Sequence, residues 1–315
     1  AETPNNYDHK HCSIFSTIVP YFDLAKMINQ HTSASSPPPA KDFYGQVQVT
    51  ETSELVEAAL TEFRQSITMN ATTAIKEAHQ KCPELLTREF YLAFLRAEVF
   101  NVKLATKRYA KYWNQRLFLF GPGKAFQSMT LSEALVDDQE SLEMGYARYV
   151  GKNPSTRRPV ILFDPSCVKG KPYNRRSVCR AIWYVLHTVL EHDDEAQQKG
   201  MVVVWQLEHL QLFQVDHKLF SIAGKCMQGA LPVRVSAIHL CHPPSFLKTI
   251  MPLINLVLVE RIRKRLKFHF GDQKDVLIQL EKVGGLTKEI LPTELGGQNV
   301  LCHDEWLRDQ KAANR

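Results

Sequence analysis

Several chemistries have no signature in this sequence. Its seven cysteines (Cys12, Cys82, Cys167, Cys179, Cys226, Cys241, Cys302) are scattered, odd in number and free of any CxxC pair. That pattern argues against a disulfide framework or a zinc ribbon and for reduced thiols. No apolar stretch reaches the roughly 18–20 residues that span a bilayer; the run from Ile250 to Val259 is too short. HExxH, GxGxxG and GxSxG are absent, which removes the short signatures of zinc proteases, dinucleotide-binding folds and α/β hydrolases. Gly121-Pro-Gly-Lys124 looks like part of a phosphate loop, but it lacks the Walker spacing, the following Ser/Thr and a strong preceding strand, so it reads as a plain loop. Ala1-Glu-Thr-Pro4 is not a basic segment leading into an apolar core, so no signal peptide is expected.

What is present is ordinary globular composition. With 315 residues, 44% hydrophobic and 23% charged, the chain can form one large domain plus a smaller one. The net charge of +6 favours anionic partners without choosing between nucleic acid and membrane.

Periodicity divides the chain. Residues 1–50 include Ser33-Ala-Ser-Ser-Pro-Pro-Pro39, a linker, and a possible extended piece from Tyr44 to Val49. Helical spacing then predicts a helix over 53–80 with Ser53 as its cap, a second over 87–96 and a third over 101–116. After Gly121 the pattern alternates. Strands are expected at 159–164, 201–205, 233–240 and 266–270. Helices are expected at 174–192, 212–227 and 272–283, the last closed by Gly284-Gly285. Strands alternating with helices predict an α/β fold with a mostly parallel sheet behind a small helical module.

Candidate metal ligands are His187, Glu191 and His192 near one helix face, with His239 or His242, but no third ligand is fixed. His239-Leu-Cys-His242 reads as strand-end packing. Neither a metal nor another cofactor is expected.

The segment from Leu231 to Arg265 carries the strongest signal. A strand runs into His242-Pro-Pro244, then an apolar helix that ends in Arg261-Ile-Arg-Lys-Arg-Leu-Lys267. A helix apolar all round is buried or moves between protein and lipid, and basic residues after it suit phosphate head groups. The same cluster could cap the helix dipole or serve a nucleic-acid patch. Arg261 and Arg265 share a face and could clamp a phosphate, since each guanidinium offers paired donors.

At this point the chain resembles the CRAL-TRIO (Sec14-like) lipid-binding family over about residues 53–297. Phe94-Leu-Arg-Ala97 with Phe100-Asn-Val-Lys103 and Trp113 is similar to its FLRA helical module, and Trp205-Gln-Leu-Glu208 to its FDLEG strand end. Leu231–Leu240 resembles its strand ending in I-H, Pro244–Arg265 its mobile gate helix, and Ile290-Leu-Pro-Thr-Glu-Leu-Gly-Gly297 its closing LPxELGG. The tocopherol-transfer and retinaldehyde-binding branch is the most similar. The resemblance implies a non-enzymatic protein that holds one hydrophobic molecule (a terpenoid, retinoid or phospholipid) under a gate and exchanges it at membranes. It further implies a basic cleft for phosphoinositide membranes at Lys107, Arg234, Arg261, Arg263 and Arg265. Nucleic acid is not an expected partner, and the expected location is cytoplasmic with transient visits to membranes. Cavity positions proposed from period and motif are Met201, Val203, Trp205, Ala223, Met227, Val235, Leu247, Ile250, Leu253 and Ile254, each of which could equally be plain core.

Departures from the family pattern are Val233 in place of a glutamate, Gln206 in place of an acid, and His209 in place of a glycine. Pro252 lies inside the gate, where the branch has proline at the position of Leu256. The expected organisation is an unassigned extension (1–50), a helical module (51–120), a lipid-binding domain (121–300) and a tail (301–315). The competing classes are an adaptor with a vestigial cavity and a metal-assisted hydrolase.

Overall fold

A computed structural model describes residues 41–168, 172–191, 193–247, 249, 251 and 260–315. The helical module begins with α1 (Ser53–Met69), whose cap is Thr52 and not Ser53, its side chain accepting from the Leu55 amide. Val56, Leu60, Phe63 and Ile67 recur at helical spacing and are all buried. The single helix expected over 53–80 is two. Asn70 ends α1 by bonding the Ser66 carbonyl, and Thr72 starts α2 (Thr73–Lys81) by accepting from the Ile75 amide. Two capping side chains so close together terminate one helix and nucleate the next. Thr87 caps α3 (Arg88–Ala97) and Asn101 caps α4 (Val102–Phe120). Between them Phe63, Phe90, Phe94, Tyr109, Tyr112 and Trp113 pack edge to face.

The α/β part follows α5 (Gln139–Glu143). Its strands are β1 (Ala147–Lys152), β2 (Pro159–Phe163), β3 (Met201–Gln206), β4 (Val235–Cys241) and β5 (Leu266–His269). They lie in the order β1-β2-β3-β4-β5; β1 is antiparallel to β2 and the other pairs are parallel. The helices are α6 (Arg175–Glu191), α7 (Asp194–Lys199), α8 (His217–Met227), the short α9 (Glu260–Arg263), α10 (Gln273–Gly284) and α11 (His303–Ala312). One sheet face buries Ile161, Phe163, Met201 and Val203 with α6 and α8. The other buries Val160, Leu162, Val202 and Val204 against Val276 and Leu280 of α10. This alternation is the period-2 pattern of the strands.

Other elements of this part also depart from expectation: α5 and α7 are helices that the periodicity did not predict. β1 is an additional edge strand. The helix expected over 212–227 is a 3-10 turn (Leu212–Gln214) followed by α8, because the Asp216 side chain caps Lys218 and Leu219. The C-terminal tail forms α11, which places Trp306 against Tyr149 and Tyr184.

His239 and His269 meet between β4 and β5. Nδ1 of His239 lies 2.8 Å from Nε2 of His269, and both rings are buried. Burial, then His269 and Lys267, holds His239 down to about 3; burial also lowers His269. Both groups are therefore more acidic folded than unfolded. The unfolded chain binds more protons below the ordinary histidine value, so their stabilisation is complete above pH ~6.5 and is lost toward about 3. Denaturant titrations should show a loss on the order of 3 kcal/mol between about pH 6.5 and 4 that His239→Gln reduces. An unchanged pH slope in the variant would remove the pair as the cause.

Candidate functional site

The sheet face on the α6 and α8 side is unevenly covered. Met201 and Val203 are buried, whereas Trp205, Val235 and Ile238 pack against the same core but are only half-buried. On α8, Ile222, Ala223 and Met227 are half-buried beside the same core. Trp205 stacks between Phe163 (4.9 Å) and Phe220 (5.9 Å), and Phe220 remains 38% exposed. The result is an apolar ledge with an aromatic floor. Asp216 fixes α8 over it by accepting from the Tyr173 hydroxyl at 2.5 Å and Arg175 Nε at 2.6 Å. Leu247 is half-buried in a helical turn after the Pro243-Pro244 break. The gate positions Ile250, Leu253 and Ile254 lie outside the described residues.

Sequence reasoning missed Phe163, Phe220, Ile222 and Ile238. Phe163 is paired in register with Trp205, so its position follows once β2 and β3 are aligned. Ile238 is hidden by a bulge opposite Met201–Val202. The extra residue puts Val235 and Ile238 on one face and Ala237 on the other, which strict alternation cannot predict.

The predicted cations separate. Arg234 is buried, donating to the carbonyls of Gln198 (2.8 Å) and Val47 (3.0 Å). Gly200 permits this strand start: it has φ +83°, and a Cβ there would lie 2.6 Å from the Arg234 carbonyl oxygen. Arg261, 45% exposed, binds Glu98 at 3.1 Å. Arg265 is half-buried, and burial followed by Arg261 and Arg234 lowers it to about 10. Burial also lowers Arg234, with Arg261 the next contributor. These three therefore share one electrostatic neighbourhood. Arg263 and Lys107 are exposed. A step of one residue along α4 turns the chain by about 100°, and it is Arg108, missed in the sequence, that is buried in the cluster. It donates to Glu98 and to the Leu231 carbonyl.

The metal reading gains no geometry. His187 Nδ1 is 3.6 Å from Glu191 Oε2, His192 lies outside the described residues, and no group of three or more His, Cys, Asp or Glu is placed to hold a metal among the described residues. Among those residues no helix is long and apolar enough to cross a membrane. A surface groove of about 570 Å³ lies on the α10 side of the sheet, lined by Asp42, Phe43, Thr156, Arg158 and Glu281 among others, and contains none of the predicted site residues.

Residues 143–297 match the family model of the CRAL/TRIO domain. Clavesin-1 of Xenopus laevis is 25% identical over 214 residues, which is 66% of this chain and 60% of that protein. Alpha-tocopherol transfer protein-like of Homo sapiens is 26% identical over 226 residues, 71% of this chain and 62% of that protein. The chain thus spans less than two thirds of the length of these relatives. A crystal structure of Sfh5 shares the fold, with a TM-score of 0.50 and 14% identity, covering 85% of this chain and 100% of that one.

Proposed function

This chain carries a CRAL/TRIO domain of the hydrophobic-ligand-binding family, behind N-terminal helices, and from that premise we propose that it is a non-enzymatic lipid carrier. It holds one hydrophobic molecule on the apolar ledge and exchanges it at phosphoinositide-containing membranes. The observation that carries this reading is the asymmetry of the sheet. Trp205, Val235 and Ile238, with Ile222, Ala223 and Met227 of α8, form a half-buried apolar surface packed against the core, beside fully buried Met201 and Val203. Each Å² of such surface removed from water contributes about 25 cal/mol, so an apolar molecule seated there is strongly retained.

In this reading residues 51–120 form a helical module, 121–300 the lipid-binding domain and 301–315 its tail. Lys107, Arg234, Arg261, Arg263 and Arg265 form the cleft that receives the phosphoinositide head group. Support comes from the shared field of Arg234, Arg261 and Arg265 beside the basic end of the gate.

Protein purified from its own cells should release one stoichiometric hydrophobic molecule on native mass spectrometry with organic extraction. An empty protein that also refuses tocopherol, retinoid and phospholipid would overturn the carrier reading in favour of an adaptor.

A further inference from the structure

The cationic cleft holds a carboxylate of its own. Glu98 is buried at the turn between α3 and α4. That turn is strained: Val99 and Phe100 have φ of 55° and 60°, and a β-branched residue in the left-handed region persists only where the surroundings impose it. Backbone bonds impose it here, from Val99 N to the Arg96 carbonyl (3.1 Å), Phe100 N to the Leu95 carbonyl (2.8 Å) and Asn101 N to the Glu98 carbonyl (3.0 Å). The Glu98 carboxylate, just before this turn, meets Arg108 and Arg261.

Its two oxygens are not equivalent. Oε1 accepts from Nε and Nη2 of buried Arg108, whose Nη1 is committed to the Leu231 carbonyl. Oε2 accepts from Arg261, which is nearly half exposed and is the partner a ligand can reach. Arg108, Arg234, Arg261 and Arg265 bring four positive charges and Glu98 one negative, a net of +3 among these five residues, with the Asp42–Arg158 pair also acting on Arg234.

We infer that Glu98 is a tethered competitor for Arg261, so that the cleft accepts phosphomonoester dianions and rejects singly charged phosphodiester or carboxylate groups. This rests on the phosphoinositide reading above and adds the residue that sets its selectivity. A singly charged ligand that takes Arg261 replaces one negative charge by another while standing next to the displaced carboxylate. A dianion offers twice the charge and paired acceptors for the guanidinium fork, so it displaces Oε2 despite that repulsion. The Arg261–Glu98 contact is half-exposed at its Arg261 end and can exchange there, whereas the buried Arg108–Glu98 pair stays and keeps the carboxylate in place.

The test measures binding to phosphatidylcholine vesicles doped with either phosphatidylinositol 4,5-bisphosphate or an equal charge of phosphatidylserine. Wild-type protein should prefer the bisphosphate by about tenfold or more. Glu98→Gln should raise phosphatidylserine binding severalfold and compress the preference to roughly threefold or less. A preference that is unchanged or larger in the variant overturns the role of Glu98.

If Glu98→Gln fails to fold with Arg108 uncompensated, Glu98→Gln/Arg108→Met removes one charge of each sign. It keeps the net charge of the cluster while freeing Arg261, and the same two outcomes apply. Calorimetry with soluble inositol 1,4,5-trisphosphate separates the head group from the membrane surface. Wild-type binding to it supports phosphate recognition, and its absence overturns it. Wild-type protein that ignores both doped vesicles sinks the phosphoinositide reading itself, independently of any variant.

Discussion

Arg96→Ala should lose about 3 kcal/mol of unfolding free energy, because it leaves the mostly buried Glu51 carboxylate and the buried Gln197 amide without their donor, Asp194 alone being well exposed. The Arg96 side chain is 4% exposed. Its Nε and Nη2 clamp both Glu51 oxygens at 2.8 Å, while Nη1 reaches Asp194 Oδ1 at 2.7 Å and Gln197 Oε1 at 2.9 Å. One side chain thus ties the segment leading into α1, its own helix α3 and helix α7 together. Lysine supplies the charge but not the planar fork, so Arg96→Lys should recover only a minor part of the loss. Urea unfolding measures both variants, and a loss below about 1 kcal/mol for Arg96→Ala would show that the clamp is a surface-grade contact.

Gly297→Ala is expected to be as damaging, with a loss of about 3 kcal/mol or more. A Cβ at this position would sit 1.9 Å from the Leu291 carbonyl oxygen and 2.4 Å from its carbon, so backbone must move. The segment it belongs to is laced together by the bonds Gly297 N to the Pro292 carbonyl (3.0 Å), Gln298 N to the Lys288 carbonyl (2.7 Å) and Asn299 N to the Leu291 carbonyl (3.1 Å). It buries Leu291 and Leu295 completely against the α10 face of the sheet. It also receives Gln206 at the Glu294 carbonyl and Arg148 on both Glu294 oxygens. Displacing it therefore uncovers the second core. Urea unfolding together with limited proteolysis should show the 290–299 segment cut first; a stability within about 0.5 kcal/mol of wild type would contradict this account.

These two positions belong to the motifs FLRA and LPxELGG, which are readable in the sequence, but their physical reasons are not. Arg96 finds its partners 45 residues upstream and about 100 downstream; nothing local marks Glu51 or Gln197 as acceptors. Gly297 is required by the approach of Leu291 and not by a turn composition that sequence could flag. β1 escaped notice because Arg148, Gly151 and Lys152 dilute its apolar pattern at the sheet edge, where among the described residues only one flank is paired. α11 escaped because it is polar over most of its length, burying Leu307 alone completely enough to count as core.

What the sequence by itself determined was periodicity and charge. Val202 and Val204 were bound to oppose Met201 and Val203, because a strand sends successive side chains to opposite faces, and Val56, Leu60, Phe63 and Ile67 were bound to share a helix face. The run of arginines after an apolar helix was equally plain. Only the tertiary structure decided which of those charges meet. It turned Lys107 outward and Arg108 inward through one helical step, drew Arg234 and Arg265 beside Arg261, and set Glu98 among them on a strained turn. It also inserted the bulge that brings Val235 and Ile238 to the same apolar ledge. Local pattern dictates which way a side chain points within its own element, but the distance between elements is set by how their cores pack, and charge pairing and cavity shape depend on that distance.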